Sequence, residues 1–205
     1  MSLEVPENIT QEKYIQSKSC NGDANPRNSD ENQEVIQEKI KEIESLNIGP
    51  VQQAELILVL LGAKKATNLS LYQWNDTPEK IKATLVDKCQ IYLAEIKGEK
   101  NNAKVLAEYA AALDKETAER LANLDPSKDH KEFGELMSFP QSAIEAFDTP
   151  KVLERENYPN MSGIIFHFSL SKDNWQEEMK VLKNWSELIR TYSPRLYEEL
   201  QGNQE

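Results

Sequence analysis

Residues 102–124 read NAKVLAEYAAALDKETAERLANL, and the assignment of this stretch decides the fold class. Alanine recurs at Ala107, Ala110, Ala111, Ala112, Ala118 and Ala122, and it has the highest intrinsic helix propensity of any residue. The composition predicts one helix from Asn102 to Leu124 whose small side chains allow close approach to neighbouring helices. With that helix in place, the flanking segments fall around it as further helices.

Upstream, Val35, Ile36, Ile40, Ile43 and Leu46 form a helical stripe over Glu34 to Leu46. Pro50 opens a second helix, Val51 to Leu61, at the position where a missing N–H costs nothing. Its apolar run from Leu56 marks it as the centre of the core, and Gly62 caps it. Asp76 and Thr77 are cap candidates ahead of Pro78. They predict a helix to about Lys97 with Ile81, Leu85, Cys89, Leu93 and Ile96 on one face. Residues 68–74 alternate weakly and read as a possible strand.

Downstream, Asp125-Pro126 begins a helical stretch through Met137. Phe139-Pro140 breaks it, and Gln141 to Phe147 forms a short helix. Residues 148–162 read as loop. Gly163 to Leu170 alternates Ile164, Phe166, Phe168 and Leu170 with Ile165, His167 and Ser169, the pattern of a strand that needs a partner such as 68–74. Asp173 to Tyr192 is a helix with Trp175, Met179, Leu182, Trp185 and Tyr192 on one face, and Ser193-Pro194 starts a short terminal one. Residues 1–33, polar and acidic, predict a disordered tail ahead of a single globular domain over 34–202. The expected class is mainly α: one helical domain of five or six principal helices with one or two short strands.

Lys and Arg number 24 against 35 Asp and Glu, a net charge of −11. Such a surface repels phosphate backbones and anionic headgroups, and no concentrated basic patch offsets it, so neither nucleic acid nor membrane is expected as a partner. The longest apolar run, Leu56 to Leu61, is far short of the roughly 20 residues of a membrane span. Two cysteines, Cys20 and Cys89, make no disulfide framework, and the N-terminus lacks a signal-peptide layout; both point to the cytoplasm.

Catalytic signatures are missing. Neither histidine carries a Glu three residues before it, which a di-iron bundle requires. Phosphate loops, dinucleotide fingerprints and Gly-x-Ser-x-Gly elbows do not occur, so no cofactor or metal is expected. The most unusual stretch is 129–147, DHKEFGELMSFPQSAIEAF. There His130, Glu132 and Glu135 gather titratable groups within two turns beside a helix break, the layout of an acid/base or ligand site; His167 is a second candidate. The ordinary reading of the same residues is a solvated acidic helix face. Trp175, Met179, Trp185 and Tyr192 are candidate interface residues, since Trp and Tyr dominate hot spots, although helical spacing serves core packing equally well.

FGELMSFPQSAIEAF (133–147), followed by GIIFHFSLSKDNWQEEM (163–179) and a Trp-containing helix, resembles a small prokaryotic, mainly archaeal family of uncharacterised domains. The resemblance covers residues 129–200 and rests on Gly134, Pro140, Ala143 and Phe147, with Ser138 standing where a second glycine is expected. That family has no assigned activity, so the resemblance transfers neither function nor site residues. The leading expectation is a non-catalytic protein-interaction or regulatory module, either a homo-oligomer or the binder of a protein partner. The alternative is a small-ligand-binding protein or enzyme with a His/Glu pocket.

Overall fold

The computed structural model describes residues 27–97 and 104–202. The expected tail lies outside the described residues up to position 26, and helix α1 spans Arg27–Glu44. By contacts the chain divides into 1–35 and 36–205, and everything below concerns the second unit. Among the described residues it holds α2 (Pro50–Leu60), β1 (Ala66–Tyr72), α3 (Pro78–Lys82) running into a π-helical turn (Ala83–Lys88), β2 (Tyr92–Glu95) and β3 (Val105–Ala112). There follow α4 (Lys115–Ala122), α5 (His130–Leu136), α6 (Gln141–Ala146), a 3-10 turn (Arg155–Asn157), α7 (Trp175–Tyr192) and α8 (Pro194–Gly202). No helix among the described residues is long and apolar enough to cross a membrane.

The mainly helical expectation is overturned. Among the described residues, eight helices accompany a three-stranded antiparallel sheet, so the class is mixed α and β. The decisive error is the alanine stretch: Val105–Ala112 is the central strand, and only Lys115–Ala122 is helical. The order is β1-β3-β2, with Ala66 opposite Ala112, Leu69 opposite Tyr109, and Tyr92 opposite Ala112 on the other side. Ala107, Tyr109 and Ala111 face one apolar cluster with Leu69 and Leu71, while Ala110 and Ala112 face a second with Ala66, Ala118 and Leu121. From Tyr109 onward β3 is buried on both faces, so that half has no polar alternation to betray its period of two. Its alanines let α4 lie close against the sheet. Asp114 separates strand from helix by capping α4: its Oδ1 accepts from the Thr117 N–H at 2.8 Å.

The helix expected to reach Lys97 also ends early. Thr77 caps α3 as the sequence suggests, and Ile81 and Leu85 are buried. After the π turn, Gln90 takes φ 61°, a left-handed conformation that reverses the chain into β2. Leu93 and Ile96 therefore pack from a strand and its end. Past a turn at Gly163 (φ 79°), the extended segment 164–170 makes no ladder with β1. Some of its backbone groups find partners elsewhere: Ile165 N–H donates to Ser186 Oγ at 3.1 Å, Leu170 N–H to Tyr158 Oη at 3.2 Å, and Leu170 O accepts from Leu153 N–H at 2.7 Å.

The core sits between the sheet and α7. In α2, Leu56, Ile57, Leu58 and Val59 are fully buried in succession, because β1 and β3 lie on one side and α7 and α8 on the other. Each such side chain contributes about 1.5–3 kcal/mol. Gly62, at φ 71°, ends α2 in a Schellman motif, with its N–H on Val59 O and that of Ala63 on Leu58 O, both at 2.9 Å.

Candidate functional site

Helices α5 and α6 form a tight hairpin. Ser138, at φ 62°, donates its N–H to Glu135 O, and Phe139 donates to Gly134 O at 2.9 Å, a second Schellman motif built on a serine. The departure from glycine at 138 has a local reason. Ser138 Oγ accepts the Lys65 N–H at 2.8 Å and so ties the turn to the start of β1. Pro140 then starts α6. The helices approach closely because Gly134 lacks a side chain: a Cβ there would lie 2.7 Å from Ile144 Cγ1.

Where the hairpin meets the extended segment, an apolar cleft of about 250 Å³ opens. His130, Phe133 and Gly134 line it from α5, Ala143, Ile144 and Phe147 from α6 and its end, and Phe139 from the link; Phe168, Ser169 and Pro126 complete it. Phe139 and Phe168 meet at 5.3 Å between centroids, tilted by 36°. At the mouth, His130 stands 5.8 Å from the Phe147 ring, which is 47% exposed. Four of the chain's five phenylalanines thus face one cavity.

Behind Phe139 lies Lys64, 2% exposed. Its Nζ is 3.1 Å from Glu55 Oε1, 5.2 Å from the Trp185 ring centroid and 5.8 Å from that of Phe139. Thr67 Oγ1 also donates to Glu55. Burial lowers the Lys64 pKa, against the opposing pull of Glu55. Nearby, Glu178 is fully buried and accepts from Ser142 Oγ (2.6 Å), Ser171 N–H (2.7 Å) and Ser171 Oγ (2.6 Å). It clasps α6 and the end of the extended segment, the two walls of the cleft, to α7.

The titratable residues singled out in the sequence do not converge. His130 lines the cleft, but Glu132 receives Arg120 Nη2 at 2.7 Å and Nε at 3.2 Å on another face of α5. Glu135 is exposed on that same side, where it adds to the charge that raises the Arg120 pKa behind the direct bond from Glu132. Helix geometry explains the split: 130, 133 and 134 share a face that 132 and 135 do not. His167 is exposed and outside the cleft, whereas its neighbours Phe168 and Ser169 line it. Among the described residues, no group of three His, Cys, Asp or Glu side chains is placed to hold a metal. In the aromatic stripe of α7, Met179 and Trp185 are buried, and Trp175 and Tyr192 pack half-buried against the same core. Trp185 meets Phe166 edge-on at 6.0 Å and Phe168 at 6.1 Å. The phenylalanines of the cleft were the signal missed: Phe133, Phe139 and Phe147 crowd one short stretch of a chain otherwise poor in aromatics.

Compared with known proteins, the chain matches no family model, no curated protein and no solved structure.

Proposed function

We propose that this protein is a non-catalytic binding module that seats an apolar, ring-sized group of its ligand in the cleft between α5 and α6. The observation that carries this reading is the cavity itself. Its volume of about 250 Å³ is walled by Phe133, Phe139, Phe147 and Phe168, and polar side chains are confined to His130 and Ser169. Ligand sites are concave and mostly apolar with a few placed polar groups, and an apolar cavity of about 150 Å³ is already enough for benzene. Against catalysis at this site stand the engagement of Glu132 by Arg120 and the outward placement of Glu135 and His167.

The test is a titration of toluene followed by amide NMR. Saturable shifts centred on residues 130–147 and 168–169 are the expected result, and they should vanish in Ala143→Leu, which fills the cleft. Shifts that never saturate, or that map to another surface, would refute the reading.

A further inference from the structure

Resting on that reading, the geometry points to the class of methyl-surfaced group the cleft prefers: an alkylated ammonium, such as a trimethylammonium head, over an uncharged group of the same shape. The walls are the first reason. Four phenylalanine rings line one cavity, with the His130 imidazole beside the exposed Phe147. An aromatic face is the negative pole of the ring quadrupole and attracts a cation within about 6 Å of its centroid. One of these walls already does this inside the protein, since Phe139 holds Lys64 Nζ at 5.8 Å.

Charge is the second reason. All but two of the lining residues come from positions 125–148, which carry six carboxylates against two lysines. Glu132 is compensated by Arg120 and Asp125 by Lys128, and Glu135 lies on the far face of α5, which leaves Asp129, Glu145 and Asp148 against Lys131. A cleft with low-dielectric walls in such a region concentrates cations. Lys64 does not reverse this, because Glu55 lies 3.1 Å from it and the pair presents no net charge.

The hydrogen-bond inventory selects the alkylated form. A bare ammonium brings three donors that need acceptors, whereas the lining side chains supply only His130 and Ser169. A quaternary nitrogen brings none. Its methyl groups fill apolar space while the charge is read by the rings.

The experiment titrates choline and 3,3-dimethyl-1-butanol, its uncharged carbon isostere, at matched ionic strength, again by amide NMR. Choline should bind at the cleft roughly tenfold tighter than the isostere, the scale of a partly desolvated cation–π contact. In Phe147→Leu, a change at an exposed rim position, that preference should shrink severalfold while the isostere still binds. Equal or tighter binding of the isostere overturns the ammonium assignment and leaves the apolar cleft standing. If neither compound nor toluene shifts residues lining the cleft, both readings fall. A peptide carrying trimethyl-lysine, compared with choline, separates the two sources of this chemistry. A gain of tenfold or more for the peptide assigns a protein partner, and parity assigns a small metabolite. An unmethylated lysine peptide that binds as well as the methylated one removes the case for alkylation.

Discussion

Replacing Gly134 by alanine tests the packing of the α5–α6 hairpin against an opposing local preference. The added Cβ would lie 2.7 Å from Ile144 Cγ1 and 3.1 Å from its Cδ1, well inside the 3.5–4.0 Å of an ordinary carbon contact. Both positions are buried, so the neighbours must move by nearly an ångström, at a cost of about 1–3 kcal/mol for overpacking. Alanine regains up to about 1 kcal/mol of helix propensity. The clash wins, and G134A should be destabilised by about 1 kcal/mol, a fall in Tm of about 2–4 °C for a domain of this size. Truncating Ile144 to alanine removes every atom that is struck. I144A alone should cost about 2–5 kcal/mol, but adding G134A to it should now stabilise. Urea denaturation of the four proteins gives the coupling directly, and about 1–3 kcal/mol is expected. If G134A has the same effect in both backgrounds, the close approach of the two helices is not what holds glycine at this position.

Three further outcomes follow from features of the same region. At Ser138 the left-handed backbone costs about 1 kcal/mol, and the bond from the Lys65 N–H returns a similar amount. Ser138→Gly should therefore shift urea stability by less than about 0.5 kcal/mol, while Ser138→Ala, which keeps the strain and loses the bond, should lose about 1. Removing the Glu178 carboxylate takes the acceptor from the Ser142 and Ser171 hydroxyls and the Ser171 N–H together; E178A should cost about 3 kcal/mol or more in a thermal melt, and a Tm within 2 °C of wild type would show that water replaces the clasp. Lys64 has its pKa lowered from 10.5 by burial, so as pH rises toward 10.5 the folded protein gives up this proton before the unfolded chain does. Stability relative to Lys64→Met should then rise as pH climbs toward 10.5, read as urea midpoints at pH 7.5 and 10; a falling difference would mean that the Glu55 attraction outweighs desolvation.

The helices legible in the sequence were those with one polar face or a strong punctuation mark. The stripe of α7, the Pro50 start of α2, the Thr77-Pro78 cap and the Phe139-Pro140 break each place an element where it is found. What stayed hidden had the period erased. Alanines on both faces of β3 read as helix because propensity spoke and pattern did not. Leu93 and Ile96 kept helical spacing with Ile81, Leu85 and Cys89 by coincidence, across a reversal made by a single left-handed Gln90. Conversely, Gly163 to Leu170 alternates cleanly yet forms no ladder; Ser186 and Tyr158 accept from its Ile165 and Leu170 N–H groups instead. Of the candidate site residues read from the sequence, His130 lines the cleft and Glu132, Glu135 and His167 do not; the cleft is made by phenylalanines that helix periodicity alone would send to a core.

The strand order β1-β3-β2 also bears on how the chain reaches this structure. The β2–β3 pairs join residues close in sequence, such as Glu95 and Tyr109, whereas β1 must find β3 across the whole of α3 and β2, bringing Ala66 to Ala112. Loop-closure entropy falls mainly on that second event, and local pairings form before distant ones. A β2–β3 ribbon covered by α4 therefore forms early, with the apolar face of β3 awaiting the slower arrival of β1 and α2. Until then Ala107, Tyr109 and Ala111 stand uncovered, and alanine at two of those three positions keeps the waiting surface a weak target for other chains.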